Sequence, residues 1–224
     1  DDNQELHIPV AADVSIGARF YPVDRQAATI LFFHGNGEIV ADYQDLAPLF
    51  NQIGINFFPV DYRGYGISTG KPTVTAMMRD CHIIYEFAMT WLQKQHYTGP
   101  LMVMGRSLGS ASALELAANY PEKIMGLIVE SGFARVKPLL QLLGVDTSVL
   151  GSKTPEFHHL EKIRQYQGPT LIIHAERDHI IPFADGEALF ETSQAPQRHF
   201  LKIADANHND IFFRGMSAYL KAVK

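Results

Sequence analysis

Three side chains of this 224-residue sequence have the types and order needed for nucleophilic acyl transfer: Ser107, Asp178 and His208. A serine hydroxyl is a weak nucleophile until a base takes its proton. An imidazole can do that, and a carboxylate can fix the tautomer of the imidazole and stabilise its cation. Ser107 stands in Gly105-Arg106-Ser107-Leu108-Gly109, between the buried-strand run Leu101-Met102-Val103-Met104 and a helical segment from Ala111. That strand-to-helix context is what the G-x-S-x-G pattern requires, because a sharp turn with a glycine on either side lifts the hydroxyl clear of the sheet. The helix beginning after Ser107 offers unpaired N–H groups to developing negative charge, so the Leu108 amide is one expected oxyanion donor. The strand Thr29–Phe33 runs into His34-Gly35-Asn36-Gly37, whose Asn36 amide is the other.

Each assignment has a rival. G-x-S-x-G by itself is a short pattern, and Ser107 could be a helix cap between two packing glycines. A glycine-rich turn after a strand could cradle phosphate, but residues 34–37 carry neither G-x-x-x-x-G-K-[ST] nor G-x-G-x-x-G. Asp178 follows the strand Thr170–Ala175, at the carboxyl end where catalytic groups gather above a parallel sheet; its plain reading is a turn or cap aspartate. Glu130 is the rival acid, at the end of the strand 124–130, although it reads better as an anchor for the loop beyond. His208 is one of ten histidines. His174 lies within a strand, His199 near the start of one, His158 and His159 in an irregular stretch, and His179 beside the acid. His34 is expected to brace its loop. Asp205 and Asp210 are too local to meet the His208 ring, and Asp210 is a credible cap for the last helix.

To hold these groups, short β-type runs near 5–10, 14–21, 28–33, 55–60, 101–105, 124–130, 170–175 and 198–203 alternate with helical segments at 42–52, 73–95, 108–119, 182–193 and 210–222. The first two strands are close enough for an antiparallel hairpin at one edge, and each later strand is preceded by enough chain for a crossover. Met77, Cys81, Ile84 and Trp91 recur at helical spacing as a stripe facing a sheet, which makes Cys81 a buried thiol. Residues 132–160 break the rhythm and are expected to form a small cap or lid on a single domain spanning 1–224.

With 46% hydrophobic and 19% charged residues the chain can bury a large core, and its net charge of −5 comes without any long run of like charge. There is no polybasic footprint for nucleic acid and no apolar run near the roughly 20 residues of a membrane span. A lone cysteine excludes an intrachain disulfide and favours a cytoplasmic setting; the chain opens on Asp1, which leaves room for an upstream leader or anchor.

Taken together, His34-Gly35-Asn36-Gly37, Asp61-Tyr62-Arg63-Gly64-Tyr65-Gly66-Ile67-Ser68, Gly105-Arg106-Ser107-Leu108-Gly109, Asp178 and His208-Asn209-Asp210-Ile211 resemble the α/β-hydrolase superfamily in order and spacing. The Asp-Tyr-Arg-Gly-Tyr-Gly stretch and the His-Asn-Asp ending look most like its small-capped branch, with the Bem46-like proteins and the alpha/beta hydrolase domain-containing proteins of types 12, 13 and 17. His174-Ala175 departs from the His-Gly often found there. The resemblance implies an α/β-hydrolase fold, with a mostly parallel eight-stranded sheet, an antiparallel N-terminal edge, helices on both faces and a small cap. It also implies a hydrolase of small acyl esters or thioesters working through an acyl-enzyme, with Ser107, Asp178 and His208 catalytic, Asn36 and Leu108 forming the oxyanion hole, and no cofactor or metal. The alternatives are a peptidase or amidase using the same triad, and a non-catalytic binding protein on the same fold.

Overall fold

A computed structural model describes residues 4–136 and 157–224. Its single sheet has eight strands: β1 (Gln4–Ala11), β2 (Val14–Phe20), β3 (Thr29–Phe33), β4 (Asn56–Val60), β5 (Leu101–Arg106), β6 (Gly126–Glu130), β7 (Thr170–Ala175) and β8 (Arg198–Ile203). The order is β1-β2-β4-β3-β5-β6-β7-β8. β1 and β2 form the antiparallel edge, β2 meets β4 antiparallel, and every pairing from β4 to β8 is parallel. The burial patterns follow from this placement. β1 alternates exposed and buried residues as a one-sided edge strand does, whereas β3, β4, β6 and β7 are buried throughout because helices cover both faces.

The period-2 alternation of side chains divides each central strand between two cores. Leu31 and Phe33 of β3 pack with α2 (Val74–Lys94), α3 (Ser110–Asn119), α4 (His159–Gln165) and α5 (Phe183–Thr192). Ile30 and Phe32 point the other way, against α1 (Ala47–Gln52) and α6 (Ile211–Val223). The stripe foreseen on α2 is buried at Met77, Cys81 and Ile84, and burial pushes the Cys81 thiol pKa well up. Thr73 caps that helix, its hydroxyl accepting from the Ala76 amide at 3.1 Å.

Four expectations about the elements change. The helix over 42–52 is split into a 3-10 turn, Val40–Tyr43, and α1; Pro48 has no N–H to continue a helix from 44 and fits only in a first turn. The strand read over 124–130 begins at Gly126, because the Ile124 amide still closes the turn leaving α3 by bonding Tyr120 O. The helix over 108–119 starts as a 3-10 turn, Ser107–Gly109, before α3. His159 opens α4, buried against Phe133 and Phe157, instead of belonging to a covering segment. The remainder of the cap reading, 137–156, lies outside the described residues.

Candidate active site

Ser107 sits where β5 ends, with φ of 50°, a left-handed conformation that few non-glycine residues adopt and that costs on the order of 1–3 kcal/mol unless its surroundings impose it. Those surroundings are tight. A Cβ on Gly105 would lie 2.3 Å from Gly109 O, and one on Gly109 would lie 2.1 Å from Phe33 O of the adjacent strand. Both glycines are therefore demanded by backbone contact, as the pattern anticipated. The Ser110 hydroxyl, donating to Ser107 O at 2.6 Å, closes the turn.

The loop after β7 brings Asp178 to the loop after β8. His208 Nδ1 donates to Asp178 Oδ2 at 2.7 Å, and the carboxylate and imidazole side chains are 0% and 6% exposed. Asp178 Oδ1 accepts from the amides of Ile180 and Ile181 at 3.0 and 2.8 Å. Burial alone would raise the pKa of Asp178, but the His208 hydrogen bond and charge, with those two amides, leave it below the usual aspartate value. It is a fixed, ionised acceptor. His174 Nε2, bonded to Ile181 O at 3.1 Å, lies 3.7 Å from Asp178 Oδ2 and packs beneath it. No direct hydrogen bond joins Ser107 to His208 here; that leg is the open one.

Asn36 and Leu108 both border one cavity of about 240 Å³, whose wall is mostly apolar and includes Ile16, Phe33, Val74, Met77, Ile84 and Phe157. The Asp61–Ser68 stretch organises the loop that carries Asn36. Asp61 Oδ1 accepts from the Val40 amide at 2.9 Å and from His34 Nε2 at 3.2 Å. The Tyr62 hydroxyl donates to His34 O, and that of Tyr65 to Asn36 Oδ1, each at 2.7 Å. His34 thus braces the loop, its Nε2 engaged by Asp61 and its carbonyl by Tyr62. In the sequence this stretch stands out only as part of a motif; one acid and two tyrosines interleaved with glycines, which leave their side chains room to reach neighbouring loops, were the local signal of a hydrogen-bonded brace.

Two role assignments are corrected. Glu130 does not anchor a loop toward the cap, since its Oε1 accepts from Arg106 Nη1 and its Oε2 from the Tyr219 hydroxyl, each at 2.5 Å. Asp210 occupies the position before α6 without a side-chain cap; its oxygens take the Asn207 amide and Arg214 Nε, at 2.7 and 2.6 Å. Among the described residues, no three of His, Cys, Asp or Glu converge so as to hold a metal ion.

An eight-stranded, mostly parallel sheet with a serine on a left-handed strand-to-helix turn and an Asp–His pair above the carboxyl ends of its strands defines the α/β-hydrolase class. The Hydrolase_4 family, described as serine aminopeptidase, S33, matches residues 24–162, and the chain belongs to it. It is 33% identical over 207 residues to alpha/beta hydrolase domain-containing protein 17B of Homo sapiens, covering 88% of this chain and 65% of that protein. Protein bem46 of Schizosaccharomyces pombe is 26% identical over 194 residues, covering 81% and 62%. The chain thus spans somewhat under two thirds of the length of these relatives. In structure it is similar to the esterase Pf2001 of Pyrococcus furiosus, with a TM-score of 0.79 at 16% identity over 99% of this chain and 90% of that one.

Proposed function

We propose that the protein is a serine hydrolase that cleaves carboxylic esters or thioesters of apolar acyl groups. The observation that carries this reading is the buried Asp178–His208 hydrogen bond beside a serine held in a left-handed turn. His208 Nε2 takes the Ser107 proton as the hydroxyl attacks the acyl carbonyl. Asp178 holds the tautomer and stabilises the imidazolium. The Asn36 and Leu108 amides receive the oxyanion, the imidazolium returns its proton to the alcohol or thiol as the acyl bond breaks, and water, deprotonated by the same imidazole, then frees the acid from the acyl-serine and restores the Ser107 hydroxyl. The open Ser107–His208 leg closes when substrate docks, since such bonds often tighten only in the Michaelis complex.

The cavity beside Asn36 and Leu108 gives the acyl group an apolar environment. A peptide amine, as an aminopeptidase requires, would look there for a free carboxylate. Among the described residues, both acids on its wall are engaged, Asp61 with His34 and Val40, and Asp80 with Arg63 Nε and Nη2 at 2.5 and 2.9 Å. That favours esters over aminoacyl amides. The test is a fluorophosphonate label on Ser107 with turnover of p-nitrophenyl esters set against aminoacyl anilides. An unlabelled, folded protein would refute the serine mechanism, and preferred anilide cleavage would refute the ester assignment.

A further inference from the structure

Arg106, the residue before the nucleophile, is 8% exposed. A guanidinium in such a place is tolerated only when its donors are matched. Nε donates to Glu38 Oε1 at 2.8 Å, Nη1 to Glu130 Oε1 at 2.5 Å, and Nη2 to the main-chain carbonyl of His208 at 2.9 Å. The two acids carry the connection further. Glu38 Oε2 accepts from the Gly35 amide at 2.7 Å and the Tyr43 hydroxyl at 2.5 Å. Glu130, opposite Arg106 in the β5–β6 register, binds Tyr219 of α6.

Attraction between opposite charges accounts for the two carboxylate contacts. It does not account for the third arm, which reaches a neutral carbonyl 102 positions away on the residue whose imidazole meets Asp178. We propose that Arg106 is a positioning residue, whose planar fork holds the His208 main chain and, through Glu38, the Gly35-Asn36 turn in register with Ser107. The inference rests on the triad reading above. A catalytic base on a loop has to be held to within a fraction of an ångström of its hydroxyl, and a displacement of about 1 Å can cost a hundredfold in rate. Three groups that must converge come from the ends of β3, β5 and β8, and Arg106 is the side chain that touches or relays to all three. Lysine could neutralise one carboxylate, yet its single nitrogen cannot reproduce the three-way fork.

The test is Arg106→Lys, with folding checked by circular dichroism and thermal melting, and rates normalised to fluorophosphonate-reactive sites. The expected result is a kcat lowered roughly 10- to 100-fold with KM within about twofold, the signature of lost geometry at the reacting atoms. In 15N-histidine-labelled protein, the downfield N–H resonance of His208 bonded to Asp178 should broaden or shift, while the surface control Arg198→Lys leaves it in place. Should the lysine variant fail to fold, Arg106→Gln combined with Glu130→Gln keeps the net charge of the cluster and removes the same arm; the same two changes are expected. Wild-type kcat and an unaltered His208 resonance in either folded variant would overturn the proposal. If wild-type protein neither reacts with the probe nor hydrolyses esters, it is the triad reading that fails, and the resonance alone decides whether Arg106 positions His208.

Discussion

The backbone at Ser107, with φ of 50°, and the 2.7 Å bond between Asp178 and His208 set up residue-level tests of the mechanism. Ser107→Ala should leave the fold intact, because alanine fits the same turn, and should lower ester turnover by several orders of magnitude; steady-state kinetics on the purified variant decides this. The two candidate acids can be separated in the same way. Asp178→Asn should leave the imidazole in the wrong tautomer and reduce kcat by on the order of 10⁴, by analogy with the serine-protease triad. Glu130→Gln keeps one oxygen to accept from Arg106 and turns its NH2 toward the Tyr219 hydroxyl, which can rotate to accept, so its effect on kcat should be far smaller, with a loss of about 1–3 kcal/mol in stability from the weakened buried pair. An inactive Glu130→Gln beside an active Asp178→Asn would move the acid to the end of β6.

At the level of elements, the nucleophile turn depends on how closely β5, α3 and β3 approach one another. The Cβ positions of Gly105 and Gly109 fall on backbone oxygens, which cannot swing aside as a flexible side chain would. Gly109→Ala should therefore separate the turn from β3, lower stability by at least 1–3 kcal/mol, and slow labelling of Ser107; denaturant unfolding and probe kinetics measure the two effects. Pro48 shows the same logic at a helix boundary. One missing N–H divides a segment of continuous helical character into a 3-10 turn and a short helix. The 3-10 turn places the Val40 amide on Asp61 and the Tyr43 hydroxyl on Glu38.

For the molecule as a whole, two consequences follow from how the helical layers close on the sheet. The apolar cavity draws its walls from β2, β3, the loop after β4, α2 and the turn at Ser107, so it exists only in the assembled fold. Catalytic efficiency should rise with acyl length, each buried methylene adding up to about 0.8 kcal/mol of binding, and Ala76→Trp should abolish that rise while sparing acetyl esters; an ester series of graded length measures both. Stability should also respond to acid through His159. Burial pushes its pKa down to about 4, against the Nδ1 hydrogen bond to Phe133 O at 2.6 Å. Between that value and the ordinary value of about 6.5, the unfolded chain binds the proton and the folded one does not. Stability from this group is thus intact above about pH 6.5 and falls as pH drops toward 4, by on the order of 3 kcal/mol in all. Urea unfolding across that window should show the slope, reduced in His159→Phe; an unchanged slope would remove His159 as its source.

The sequence by itself carried the eight strands, the antiparallel edge and the alternation that puts helices on both faces, because period-2 and period-3.6 apolar patterns are local. It also carried the identities of Ser107, Asp178 and His208 as candidates, since each lies in a loop at the carboxyl end of its strand. Where a missing N–H or a diverted hydrogen bond moves an element's boundary, apolar periodicity does not show it, as at Pro48, Ile124 and the 3-10 entry to α3. Only the tertiary structure decided what the buried charges do. Nothing local in the chain tells Glu130 to choose Arg106 and Tyr219 over His208, or links Glu38 to Arg106 across 68 positions. A buried ion must find its partners in three dimensions, and the strand order that sets β5 between β3 and β6 determines which are within reach.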